Sequence, residues 1–384
     1  MRSTFHGLEL AKRALYAQQT AINTTGHNVS NANTPGYTRQ RVEMVTTPPL
    51  EAIGMNRSPA KGQLGTGVMV NAIVRLRDRF LDLQYRNENR YLGEWNVKQN
   101  TYDKLEVIFN EIKASDDGFG TGLNRVFNDF WNAWQDLSRD PEKLEAKVAV
   151  VHRGVALAEA FNTMGRQLDT FEADLLKQTG QKVDQANVLL SQIAELNQQI
   201  VKILAMGQNP NDLMDRRDLL VDELSGLINI EVKEDELGGY QILLSGTSHE
   251  LVSANGKQID ELVFANNELR LSSFDSADPA LYTINGTSNA DISGEIFGYL
   301  QSIEKVRWYS AQLDTLTLEF VNAINMVYNP PSNPSNTQDP DQNLFVFDDG
   351  NYTDSSNAAV RIKLNSTLVQ NPASLKAGND TSLP

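Results

Sequence analysis

The chain has 384 residues, a formal net charge of −15, no cysteine and 4 histidines. That length can bury a large core in roughly two or three domains, and the missing cysteine removes disulfides, thiolate nucleophiles and thiolate-ligated metals. The acidic balance argues against nucleic acid or an anionic membrane as partner, since such binding rests on cationic contacts to phosphate, and no apolar run reaches the ~18 residues of a membrane span.

The first element is a helix. Leu8, Leu15, Ile22 and Val29 recur every seventh residue, with Ala11 and Ala14 between them, which sets a narrow coiled-coil-forming stripe. The stripe can pack on its own chain or on a partner. A lone helix of about 25 residues gains little from propensity, and the segment after it separates it from the rest, which favours an intermolecular partner. The helix stops in residues 31–40, NANTPGYTRQ. Asn31, Asn33 and Thr34 favour local side-chain to backbone bonds, Pro35 disfavours helix at Thr34, Gly36 turns freely and Tyr37 follows, so a defined corner is expected. Residues 42–67 carry Pro48, Pro49 and Pro59 with Gly54, Gly62 and Gly65, and read as an extended connector or small hairpin.

A second helix follows from Ile73, with Leu76, Phe80, Leu83, Tyr102, Leu105 and Phe109 at helical spacing. Arg75, Arg77 and Arg79 interleave with Asp78 and Asp82 and read as a solvated helix start, the alternative being an intersubunit charge contact. Gly118, Gly120 and Gly122 follow no buried strand, so they read as a turn and not a dinucleotide loop. Val126, Phe127, Phe130, Trp131, Trp134 and Leu137 share one broad face, expected in the core.

After Pro141 the longest pattern runs from Leu144 to Leu204 and would span about 90 Å if unbroken. Gly154, Gly165 and Gly180 each weaken it by ~1 kcal/mol, and a break is expected near Gly180. Ile292, Ile296, Leu300, Ile303, Leu313, Leu316, Phe320, Ile324 and Val327 supply an antiparallel helical partner. Between these two helices the period falls to two in short runs at 228–232, 240–244, 262–264 and 269–271, separated by Gly and Asn turns. Residues 329–343 suit a mobile connector, with further strands expected at 345–347 and 360–364.

The expected class is therefore mainly α with an inserted β domain: an elongated antiparallel helical bundle, a coiled-coil-forming N-terminal helix and a small antiparallel β-rich domain. Residues 1–70 form the terminal helix, corner and connector, 71–227 with 291–328 the bundle, 228–290 the β insert, and 329–384 the connector and last strands.

Sites for chemistry are not evident. His6, His27, His152 and His249 lack partners at zinc-ligand spacing and take structural or surface roles. Asp212, Asp215, Asp218, Asp222 and Glu223, mixed with Arg216 and Arg217, read as an exposed charged helix face rather than paired catalytic carboxylates. No catalytic residue, metal or cofactor is expected.

Residues 30–42, SNANTPGYTRQRV, resemble the signature of bacterial flagellar axial proteins, the rod, hook and hook-associated proteins. Residues 65–86 and 210–232 resemble characteristic segments of the hook-associated protein 1 family, the first hook-filament junction proteins. The resemblance implies a non-enzymatic structural role: self-association in a ring-like layer at the distal end of the hook, with the hook protein below and the second junction protein above. It also implies an extracellular place in the flagellum, reached through the flagellar export apparatus without a cleaved signal peptide, and an export chaperone. In the family the terminal helix pairs with a C-terminal helix, to which the chaperone-binding region belongs; residues after Asn329 carry no long apolar-periodic segment, so this helix is missing from the expected fold. Met1 to Thr34 is accordingly expected to be disordered or loosely docked in the monomer. The alternatives are a hook or rod protein and, from a different class, an exported cell-wall hydrolase with an axial-protein N-terminus.

Overall fold

The computed structural model describes residues 5–49, 65–109, 122–274, 278–286, 293–330 and 342–377. Helix α1 (His6–Ser30) leads through the corner into strands β1 (Gln40–Thr46) and β2 (Val68–Arg75), followed by α2 (Arg79–Phe109), α3 (Leu123–Arg139), α4 (Leu144–Ala205) and α5 (Asn211–Leu227). Six short strands come next, β3 (Ile230–Glu234), β4 (Tyr240–Leu244), β5 (Glu250–Val252), β6 (Leu262–Ala265), β7 (Glu268–Leu271) and β8 (Tyr282–Thr283). Helix α6 (Glu295–Tyr328), strand β9 (Phe345–Phe347), the short helix α7 (Ala358–Arg361), strand β10 (Ile362–Leu364) and helix α8 (Ser366–Gln370) complete the order. The class is mainly α with small antiparallel sheets.

The chain divides into two compact units, 1–94 with 181–297 and 95–180 with 298–384. In the first unit, β1 and β2 pair antiparallel from Gln40 with Arg75 to Thr46 with Val68, with a bulge between Glu43 and Met44. The proline-rich connector reading thus becomes a hairpin, whose residues 50–64 lie outside the described residues. Strands β3, β4 and β5 form one antiparallel sheet and β6, β7 and β8 another. The part of α4 in this unit buries Ala186, Leu190, Ile193 and Ile200, and two asparagines on it bond strand backbone as a neighbouring strand would. Asn197 donates to the Tyr240 carbonyl (2.7 Å) and accepts from the Tyr240 amide (3.1 Å); Asn187 does the same with Leu262, both at 2.8 Å. A polar side chain inside a helical apolar stripe is tolerated where it is hydrogen-bonded, as the buried Asn197 is through both its oxygen and its nitrogen.

In the second unit, Phe127, Phe130, Phe161, Phe320 and Phe345 meet mostly edge-on, with ring centroids 5.1 to 6.3 Å apart. Such rings bury large apolar areas and prefer this geometry for their quadrupoles. Phe130 and Leu137 are buried as their face implied, but Trp131 is exposed on the far side of α3. Residues 345–347 pair antiparallel with 362–364, while Val360 falls in α7. Of the expected helical partner, Ile292 lies outside the described residues, as do Gly118 and Gly120 of the glycine turn.

Helix α4 is continuous through Gly180, against the expected break. One glycine in a helix interior costs only about 1 kcal/mol, and the turn around it keeps Thr179 and Val183 buried. Gly165 has a positive use: a Cβ there would stand 2.8 Å from a Val360 methyl, so the glycine lets the segment around α7 lie against α4. That segment is pinned by side chains with little apolar signal. Asn325 accepts from the amides of Leu344 and Phe345, both at 3.1 Å, and donates to the Phe345 carbonyl at 2.8 Å. Asp314 accepts from the amides of Asn357 (3.0 Å) and Ala359 (2.9 Å). Asn325→Ala would strand two buried amides and a carbonyl, and a loss of about 1–3 kcal/mol is expected in urea unfolding, with β9 amides exchanging faster.

Candidate assembly site

Helix α1 presents two faces of opposite character. Ala17 and Thr24 are its buried residues, and at roughly 100° per residue they share a face with Asn28. Leu8, Leu15, Ile22 and Val29 lie ~120–180° from that face. They are 67%, 65%, 70% and 72% exposed, far more than aliphatic side chains usually are in a folded monomer. The helix is regular and docks by a narrow inner face.

Asn28 fixes the azimuth of this helix. Its Oδ1 accepts from the Gln40 amide (2.8 Å) and the Tyr37 hydroxyl (2.7 Å), and its Nδ2 donates to the Gln40 carbonyl (2.8 Å). The corner between them is built from the residues the sequence singled out. The Asn31 amide and its side-chain nitrogen both bond the His27 carbonyl, closing the helix, and the Thr34 hydroxyl donates to Asn31 Oδ1 at 3.2 Å. Pro35 and Gly36 then occupy the centre of a turn closed by the Tyr37 amide on the Thr34 carbonyl, with Gly36 at φ +77°. Proline first and a left-handed glycine second is the residue order of a type II turn. A Cβ on Gly36 would also press on Leu219 of α5 at 3.1 Å. Asn33 is exposed, as are Thr34 and Pro35.

The corner and hairpin rest on α5 through charge. The Thr38 amide donates to Asp215 Oδ2 (3.0 Å), the Gln40 side chain donates to Asp212 (2.9 Å), and Asn211 donates to the Ile73 carbonyl (2.9 Å). Arg75 reaches Asp215 at 2.9 Å and Asp218 at 2.6 Å; Arg77 reaches Asp82 at 2.7 Å and Asp222 at 3.2 Å; Arg86 reaches Asp222 at 2.7 Å. The side chain of Asp218 is wholly buried. These contacts correct the sequence reading. Asp212 and Glu223 are exposed, but Asp215 and Asp218 are buried, Asp222 is partly so, and Arg75 and Arg77 are not a solvated helix start. Arg79 does stay exposed, paired with Glu234.

The electrostatics follow from burial set against neighbours. Burial pushes the Asp218 carboxyl up, but Arg77 and Arg75 outweigh it and hold it below the usual carboxylate range. At Asp222 burial wins over Arg86 and Arg77, and its carboxyl is raised. Arg217, fully buried, is pushed down by burial although its guanidinium lies 3.4 Å from the Tyr240 ring centroid and donates to Asn197 (3.0 Å) and the Gly238 carbonyl (2.7 Å).

A pattern signal for this lattice exists. Asp215, Asp218 and Asp222 fall at i, i+3 and i+7, one face of a helix, while Arg75 ends β2 and Arg77 follows two residues later, before α2. Each set looks solvated alone, and only their match in sign and spacing reveals them as partners. Among the described residues no group of three or more His, Asp or Glu could hold a metal ion, and no helix is long and apolar enough to cross a membrane.

The described residues thus combine an exposed aliphatic stripe on α1 with a buried ion lattice between the hairpin and α5. The flagellar hook-associated protein FlgK helical domain model matches residues 103–345, and the flagella basal body rod protein model matches residues 8–38. Flagellar hook-associated protein 1 of Bacillus subtilis is 36% identical over 96% of this chain and 75% of its own length. Those of Escherichia coli and Salmonella typhimurium are 29% and 26% identical, over 82% and 94% of this chain, which spans only 55% and 63% of their lengths. The fold is also that of the flagellar hook junction protein FlgK from Burkholderia pseudomallei, with a TM-score of 0.53 at 23% identity, covering 68% of this chain and 46% of that one. The chain belongs to the flagellar hook-associated protein 1 family, a structural family of the bacterial flagellum.

Proposed function

We propose that this chain polymerises at the distal end of the hook and joins hook to filament. The observation that carries this reading is the exposure of Leu8, Leu15, Ile22 and Val29 on the face of α1 opposite its docked side. A seven-residue aliphatic stripe left in water is stabilised only when a second helix covers it, and assembly supplies that helix. Residues 1–70 then serve as the axial segment, the helical bundle of 71–227 and 291–328 makes lateral contacts, and the β-rich 228–290 faces outward. Its partners are copies of itself in a ring-like layer, the hook protein and the second junction protein. It works outside the cell, after export through the flagellar apparatus without a cleaved signal, and its action is packing rather than catalysis.

The test is gold labelling of an epitope-tagged chain on flagella sheared from the producing cells. Label confined to the hook-filament junction is expected. Label along the hook or rod would replace this reading with that of a hook or rod protein, and wall-degrading activity in the purified chain would favour an exported hydrolase.

A further inference from the structure

We propose that Asp215 is the positioning residue of the assembly surface: it anchors the corner to α5 and so sets the direction in which α1 presents its stripe. This rests on the reading of α1 as an assembly helix. A stripe of one residue every two turns of helix is useful to a partner at one azimuth, since a slip of one residue rotates it by about 100°. Something must therefore hold α1 against rotation and tilt, and its inner face, with only Ala17 and Thr24 buried, offers little apolar grip.

The grip is a set of polar contacts in which Asp215 is the buried carboxylate: Asp212 also meets the Gln40 side chain (2.9 Å) and His27 of α1 (3.5 Å), but it is exposed, and beyond its own helix Arg13 reaches the Thr66 carbonyl at 3.4 Å. Asn28 ties α1 to both backbone groups of Gln40 and to Tyr37. Two residues before Gln40, the Thr38 amide donates to Asp215 Oδ2, while the other oxygen of Asp215 takes Arg75, the residue that pairs with Gln40 across the hairpin. One buried side chain thus holds the backbone leading into β1 and the last residue of β2, at the end of the hairpin to which Asn28 is bonded. Asp218 also binds Arg75 but touches neither the corner nor its backbone in any of these contacts, so it serves stability, whereas Asp215 links stability to direction.

The absence of cysteine allows a clean test on the full chain. Spin labels on Gln18→Cys of α1 and Glu223→Cys of α5, both exposed positions, report the pose of one helix against the other. A single narrow distance distribution is expected in the parent. Asp215→Ala is expected to broaden it at least twofold with the helix content unchanged, and to lower incorporation into flagella at least tenfold. Asp215→Asn, which keeps an oxygen for the Thr38 amide, should restore most of the narrow distribution.

An unchanged distribution in Asp215→Ala overturns the proposal. If that variant loses its cooperative unfolding, Asn28→Ala decides, because Asn28 lies outside the ion lattice: broadening supports the proposal, and a narrow distribution overturns it. Failure of the parent itself to reach the junction would instead overturn the proposed function, leaving the distance result intact.

Discussion

Asp218→Ala is expected to destabilise the first unit by about 3–5 kcal/mol, the cost of removing the buried partner from an ion pair. Arg75 would keep Asp215, and Arg77 would keep Asp82 and Asp222, but both guanidiniums would face a cavity where a buried carboxylate stood. The measurement is urea unfolding, with amide exchange in α5 and β2 identifying the unit that opens. Glu223→Ala, on the exposed side of the same helix, should stay within about 0.5 kcal/mol. A loss of under about 1 kcal/mol at Asp218 would mean that water reaches the lattice and screens it.

Acid should reveal the same lattice, with a sign that differs between its carboxylates. The folded pKa of Asp218 is depressed, so its contribution is present above its unfolded value near 3.8 and is lost as pH falls through the lower folded value. Asp222 is raised, so its ionised form costs stability at neutral pH, and that cost is relieved as pH falls through its folded value. Stability should therefore rise slightly on mild acidification, through Asp222, and fall only below about pH 4, as Asp218 is protonated. An Asp222→Asn variant should flatten the first phase and leave the second.

Leu15→Asp combined with Ile22→Asp is the change with the largest expected functional effect. Both side chains are mostly exposed, so unfolding of the isolated chain should move by under about 0.5 kcal/mol per site. In an assembled helix pair the same carboxylates would be buried against apolar side chains with no cation to meet them, a cost of several kcal/mol per subunit that repeats around the layer. Incorporation into the flagellum and filament growth should fall to near zero. Normal growth from this variant would remove the stripe from the assembly surface, and a shared loss of stability and growth would assign it to folding.

How much of this is legible in the sequence depends on the range of the interaction. The stop after Val29, the turn at Pro35 and Gly36, the long helix from Leu144 and the alternating strands between α5 and α6 all follow from local rules: periodicity of apolar residues, left-handed glycine and the missing amide of proline. Those rules act within a few residues, so the order of residues contains them. The exposed position of Trp131 and the continuity of α4 through Gly180 do not follow from local rules, since apolar periodicity does not say which part of a face is covered and a single glycine is too small a cost to end a long helix.

The ion lattice shows the division most sharply. Arg75 and Asp215 are 140 residues apart, and Asn28 and Gln40 are joined across a turn. By itself the sequence determined that a helix with a seven-residue stripe ends in a sharp corner, that no thiol chemistry is present, and that three stretches carry a family resemblance. Only the tertiary structure decided that those three stretches converge, that the carboxylates of α5 are buried and paired rather than solvated, and that the stripe points away from the docked face. The reason is physical: charge patterns look the same whether water or a distant guanidinium solvates them, and the choice between the two is made by the fold.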